Sequence, residues 1–261
     1  MATYALLGAT GSTGSAILRY LLEEPPQRLK LKIFVRSKSK LLKAFPDIED
    51  KAPFSVDIIE GTPDDSAALQ KCLQGANVVF MCIATNQCIR GLSICYDITT
   101  SIIAALKVLR QKQASSYAVP TILQLRSVNS NPTLGPKESF IARSILRYCL
   151  SYVYADLDRG CELLEKTATE DPALLDYVFV DPPGLHDSNG TTRTGHELLV
   201  TELPKMNLSY ADLGAGFCEV AERRNEFKGM GVAVSATGPV NLSSSILLGY
   251  VVTGLKARWI G

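Results

Sequence analysis

Apolar and polar positions along the chain follow two rhythms. Short β-branched apolar runs alternate with longer segments in which apolar residues return every three to four positions. Tyr4–Leu7 reads as the first strand and Ser12–Leu22 as its helix, stopped by Pro25-Pro26. Leu31–Val35, Ser55–Ile59, Asn77–Ile83, Thr121–Leu125 and Leu175–Val180 read as five further strands. Between them, Ser39–Phe45, Asp64–Leu73, Tyr96–Arg110, Ser139–Leu150 and Tyr154–Thr167 read as helices. Pro182-Pro183-Gly184 closes the sixth strand. Beyond it come a candidate short strand at Glu197–Thr201, a helix at Tyr210–Arg223 and a late strand at Val232–Ala236. Six strands separated by helices predict an α/β protein, a Rossmann-type doubly wound parallel sheet with helices on both faces. A single domain over residues 1–261 is expected, with residues 184–261 adding a small lobe on the substrate side.

Composition and charge narrow the partners. With 46% hydrophobic and 20% charged residues the chain is globular, and 27 basic against 26 acidic residues leave a net charge of +1. That balance argues against nucleic acid as a partner. The seven cysteines are odd in number and irregularly spaced, and there are only two histidines. No metal site is expected, and reduced thiols in a cytoplasmic protein are the default. The first strand follows no basic, signal-like segment. No apolar run approaches the roughly 18 residues of a membrane span. Ile246–Leu255 comes nearest and is interrupted by Gly249 and Gly254. It reads as a buried helix or one that pairs two copies, which leaves a homodimer open.

The strongest chemical signal is Gly8-Ala9-Thr10-Gly11-Ser12-Thr13-Gly14, placed between a strand and a helix. Glycines here allow a tight turn, close approach of a pyrophosphate and close packing of helix on strand. The helix N-terminus offers free amides to the phosphates, and Thr10, Ser12 and Thr13 add hydroxyl groups. The second strand ends at Arg36, with Lys38 and Lys40 nearby, where NAD-specific sites carry an acidic residue. A guanidinium there suits a 2′-phosphate, so NADP(H) is the expected cofactor.

The G-x-x-G-x-x-G spacing resembles that of the extended and atypical short-chain dehydrogenases/reductases. Phe34-Val35-Arg36, Val78–Ala84, Val180-Asp181-Pro182-Pro183-Gly184-Leu185 and Ser209-Tyr210-Ala211-Asp212-Leu213 are similar to further landmarks of that superfamily. Together they resemble its NmrA-like and biliverdin reductase B branch. The opening segment through Lys43 resembles the averufin-oxidase-like oxidoreductases of fungal polyketide clusters. The resemblance places Ala84, Asn86 and Pro183 along the cofactor. It also puts Thr62 where relatives carry an aspartate that contacts adenine.

For catalysis, the resemblance implies a serine after the fifth strand, here Ser127, and a tyrosine with a lysine four residues on. Tyr152 and Tyr154 lie 25 and 27 residues after Ser127, but the positions four further on are Asp156 and Asp158. A carboxylate raises a tyrosine pKa where a lysine lowers it. Arg159 is the nearest cation along the chain. Three readings stay open: a reductase of a small hydrophobic carbonyl, quinone or enone, of the kind found among aromatic polyketide intermediates; a non-redox isomerase or cyclase with Asp156 or Asp158 as base; and an NADP(H)-sensing regulator. His186 and His196 are thinner candidates, the latter beside a Gly/Thr-rich stretch, residues 190–195, that reads as a mobile flap.

Overall fold

The computed structural model of the protein describes residues 2–85 and 87–239. One eight-stranded sheet organises them. β1 (Ala2–Leu7), β2 (Leu29–Val35), β3 (Ser55–Glu60), β4 (Val78–Met81), β5 (Thr121–Leu125) and β6 (Asp176–Asp181) are the six expected strands. β7 (Gly184–His186) and β9 (Asn207–Ser209) form a separate two-stranded parallel pair, while β8 (His196–Leu199) and β10 (Gly231–Ala236) extend the main sheet. The order is β3-β2-β1-β4-β5-β6-β10-β8, parallel throughout except for β8, which runs antiparallel to β10 at the edge. This is the Rossmann arrangement, in which strand order reverses between β1 and β4 and opens a crevice at the C-terminal strand ends.

Burial on both faces explains the near-continuous apolar strands. Tyr4 and Leu6 pack into one core with Leu31, Ile33, Phe80 and Phe217; Ala5 and Leu7 pack into the other with Val79, Ile102 and Phe179. Helices α1 (Ser12–Glu23) and α8 (Tyr210–Glu222) cover the first face. Helices α4 (Ser66–Leu73), α5 (Ile94–Gln113) and α7 (Ser151–Glu170) cover the second. The smaller α2 (Lys38–Ala44) and α3 (Ile48–Lys51) follow β2, and α6 (Phe140–Cys149) runs into α7 with Leu150 alone between them. Lys32 is buried in β2, yet its ammonium donates to the carbonyls of Lys71 and Gln74 at 2.8 and 2.7 Å. It thereby serves the C-terminus of α4, where a cation is favoured.

Three elements escaped the periodicity: α3, β7 and β9 are each only three or four residues long. The stretch expected as a flap is anchored at its C-terminal end. The carboxylate of Asp212, fully buried on α8, accepts from the Thr194 and Gly195 amides and the Thr194 hydroxyl, each at 3.0 Å. Arg193 adds a 2.6 Å contact to Glu24 on the end of α1. These contacts tie down residues 193–195 and supply the donors that a buried carboxylate needs. The apolar stretch Ile246–Leu255, and with it the expectation of a helix that pairs two copies, lies outside the described residues. Among the described residues no helix is long and apolar enough to cross a membrane. All seven cysteines are buried and unpaired.

Candidate cofactor and active site

The glycine loop joins β1 to α1 at the C-terminal edge of the sheet. Gly8 has φ +92°, and a Cβ there would lie 2.8 Å from the Cys82 carbonyl oxygen, just past the end of β4. A Cβ on Gly14 would collide with the carbonyl of Gly8, so this residue lets α1 start against the strand end. Gly11 caps α1 with no side-chain hydrogen bond and is exposed. The first-turn amides of Ser12, Thr13 and Gly14 are therefore free for an outside acceptor. Such a cradle fits a dinucleotide pyrophosphate. Thr10 and Ser12 are half-buried beside it, and Thr13 is buried.

At the end of β2, Arg36 is exposed and has no hydrogen bond or ion pair among the described residues. The neighbouring Glu60 carboxylate accepts from the Lys38 amide at 2.8 Å, and the Lys38 ammonium pairs with Glu49 at 2.7 Å. Lys40 and Thr62 are exposed on the same rim, as is Ala84 after β4. Asn86 lies outside the described residues. Pro183 is half-buried in the turn after β6, which is tied to the Ser127 segment by Val128 N–H donating to the Pro182 carbonyl at 3.2 Å.

A buried ion pair underpins that junction. Arg126, one residue before Ser127, donates from two nitrogens to Asp181 at 2.7 and 2.6 Å, and Asn131 donates to the same carboxylate at 2.7 Å. The two charged side chains are 8% and 0% exposed. Arg126 also stacks 4.3 Å over Phe179. Burial pushes the Asp181 carboxyl up, and the Arg126 and Asn131 hydrogen bonds oppose that rise.

Two of the candidate catalytic residues meet. The Tyr154 side chain, in the first turn of α7, is buried beside Ser127 and Asn129. Burial raises its pKa, while Ser127, Asn129 and the Arg147 charge pull it back. Tyr152 is not brought to Ser127; it packs at the margin of a small cluster formed by Cys88, Leu150 and Tyr154. Asp156 is a correction. It lies two residues, about 200° of helix rotation, beyond Tyr154 and so on the opposite face. There its carboxylate accepts from the Cys95 and Tyr96 amides at 2.9 and 3.0 Å, capping α5 from another helix. Gly160, one turn on, allows the close crossing, since a Cβ would lie 2.8 Å from the Cys95 sulfur. Arg159 is likewise reassigned: its guanidinium lies over Tyr96, 4.9 Å from the ring centroid.

The cation beside Tyr154 is Arg147, from α6, 5.0 Å over the ring. Sequence reasoning missed it because it precedes the tyrosine and belongs to a separate helix. It also missed Asn129, for which no spacing rule exists. Asp158 pairs with Arg147 at 3.0 Å and accepts from the Ser130 hydroxyl at 2.7 Å, so its carboxylate is engaged. His196 is bonded to Glu219 of α8 at 3.0 Å. His186 sits in β7, its Nε2 shielded from solvent and without a partner among the described residues.

Comparison with known proteins agrees with this geometry. The profile of an NAD(P)H-binding family matches residues 8–223. The chain is 45% identical to averufin oxidase A of Aspergillus flavus, over 99% of this chain and 91% of that protein. It is 46% identical to averufin oxidase A of Dothistroma septosporum, over 99% and 92%. A short-chain dehydrogenase/reductase of Veillonella parvula, solved with NADP, shares the fold with a TM-score of 0.65 at 16% identity, covering 91% of this chain and 95% of that one. These names lend no support to the isomerase or sensor readings. The chain is an oxidoreductase with a nicotinamide cofactor site, and it belongs to the NAD(P)H-binding Rossmann family that includes the averufin oxidases.

Proposed function

We propose that the protein is an NADP(H)-dependent oxidoreductase acting at a carbonyl of a hydrophobic small molecule, with an aromatic polyketide of the averufin kind as the leading substrate class and a place in fungal secondary metabolism. The observation that carries the catalytic reading is the burial of Tyr154 beside Ser127, at the strand edge that also bears the glycine cradle. NADPH held by the glycine loop and Arg36 would supply a hydride to the carbonyl carbon in the reducing direction, and Tyr154 would give its proton to the carbonyl oxygen. Solvent then reprotonates the phenolate, and oxidation runs the same steps in reverse. Ser127 and Asn129 hold the hydroxyl and the carbonyl oxygen in register.

The free guanidinium of Arg36 supports NADP(H) over NAD(H), because its bidentate donors match a 2′-phosphate. The exposed apolar side chains of α6, Phe140 at 81% and Ile141 at 70%, support a hydrophobic substrate. Of residues 184–261, expected to add a substrate-side lobe, the separate β7–β9 pair supplies that side, while β8, β10 and α8 build onto the main sheet; the buried free thiols suit a reducing cytoplasm.

The test is calorimetry with NADPH and NADH, then nicotinamide absorbance during incubation with averufin and with a quinone and enone panel, in both directions. Ser127→Ala and Tyr154→Phe should each lose turnover by about a hundredfold while keeping NADPH affinity. Full turnover in both variants would place the chemistry elsewhere.

A further inference from the structure

The family's lysine normally stands four residues after the tyrosine, and position 158 holds an aspartate instead. We propose that Arg147, reaching from α6 onto the ring of Tyr154, is the positioning cation that assists proton transfer at the Tyr154 hydroxyl in place of that lysine. The inference rests on the reading of Tyr154 as the proton donor.

Its geometry ties three segments together. The guanidinium sits 5.0 Å over the Tyr154 ring, where a cation is attracted to the π-face and favours the phenolate over the phenol. Two of its nitrogens donate to Asp158 at 3.0 Å each, and one donates to the Ser130 hydroxyl at 3.2 Å. Ser130 follows Ser127 in the same short turn and itself donates to Asp158 at 2.7 Å. Arg147 Nε is shielded from solvent and has no partner among the described residues. Position 158 thus keeps its place on the tyrosine's helix face, one turn on, but its charge is inverted. It anchors a cation from the neighbouring helix instead of supplying one.

The groups facing Tyr154 are few. Arg147 comes from α6 and Glu138 from the segment before α6, while Asp158, from the tyrosine's own helix, holds Arg147; Cys88, from the segment after β4, shares the small cluster of Tyr154. Ser127 and Asn129 complete the surroundings and favour its ionisation. Glu138 opposes ionisation of the tyrosine. Among these groups Arg147 alone is positively charged.

The experiment is a tyrosinate titration by near-ultraviolet absorbance on the purified full chain. Each variant is read against its own Tyr154→Phe counterpart, to isolate one tyrosine among ten. Arg147→Gln should move the Tyr154 titration up by about one pH unit, and the tyrosine limb of the pH–rate profile should move with it in either reaction direction. Turnover at neutral pH should fall about tenfold with NADPH affinity unchanged. Arg147→Lys should recover most of both effects, as should adding Asp158→Lys to Arg147→Gln. Should Arg147→Gln fail to fold, Asp158→Asn takes its place, and freeing the guanidinium should lower the titration. A folded Arg147→Gln, or in its stead Asp158→Asn, with an unmoved Tyr154 titration overturns the proposal. Full turnover in Tyr154→Phe overturns the donor reading itself, whereas a normal Tyr154→Phe defect with an unmoved titration defeats Arg147 alone.

Discussion

The two ends of the site are built from different materials. At the proposed phosphate end, the four residues between β1 and α1 and the first turn of α1 present backbone amides, and their shape follows from where side chains are missing. At the proposed reacting end, Ser127, Asn129, Arg147 and Tyr154 come from a strand-end turn and two helices, tied by the Arg147–Asp158 ion pair. Backbone donors are fixed once the turn forms. Side-chain donors are fixed only if their supports are satisfied, so the reacting end depends on buried charges such as Arg126–Asp181. The lesson is that the binding end tolerates change around it but not within it, and the reacting end can be loosened from a distance.

Four substitutions separate the two. The largest effect is expected for Asp181→Ala, which strands the Arg126 guanidinium in a buried position. Urea unfolding should show a loss of about 3–5 kcal/mol. The surviving folded fraction should still bind NADPH, and loss of binding at temperatures where it remains folded would show the two ends to be coupled. Gly14→Ala attacks the other end by driving a methyl group into the Gly8 carbonyl. It should cost about 2 kcal/mol by the same assay and abolish NADPH binding in calorimetry.

Arg36→Asp should weaken NADPH binding by about 2 kcal/mol, roughly thirtyfold, while NADH binding holds or improves. Equal NADPH affinity before and after would remove the basis for NADP(H) preference. The smallest effect is expected for Asp156→Ala, which removes the cap of α5. About 1 kcal/mol of stability should be lost, with turnover of the folded enzyme within twofold of the parent. A turnover loss of about a hundredfold or more would return Asp156 to the chemistry.

Much of the fold was legible. Six strands and their order of appearance follow from apolar runs buried on both faces, a pattern that periodicity reports directly. The short elements α3, β7 and β9 were not, because three or four residues carry too little period to stand out. The exposed place of Arg36, just past the end of β2, followed from its position alone. Asp156 and Arg159 were misread because nearness along the chain is not nearness across a helix: the pair lies against α5, away from Tyr154.

By itself the sequence determined the β1-loop-α1 cradle, the parallel sheet and the cofactor class. These depend on local backbone geometry and on a repeat of apolar positions, both written in consecutive residues. Tertiary structure alone decided which tyrosine meets Ser127, that Asn129 joins them, that Arg147 is the cation on Tyr154, and that Asp212 pins the C-terminal end of the segment expected to be a flap. Those contacts join residues from separate elements, and their energies depend on burial and on partners that no local pattern encodes.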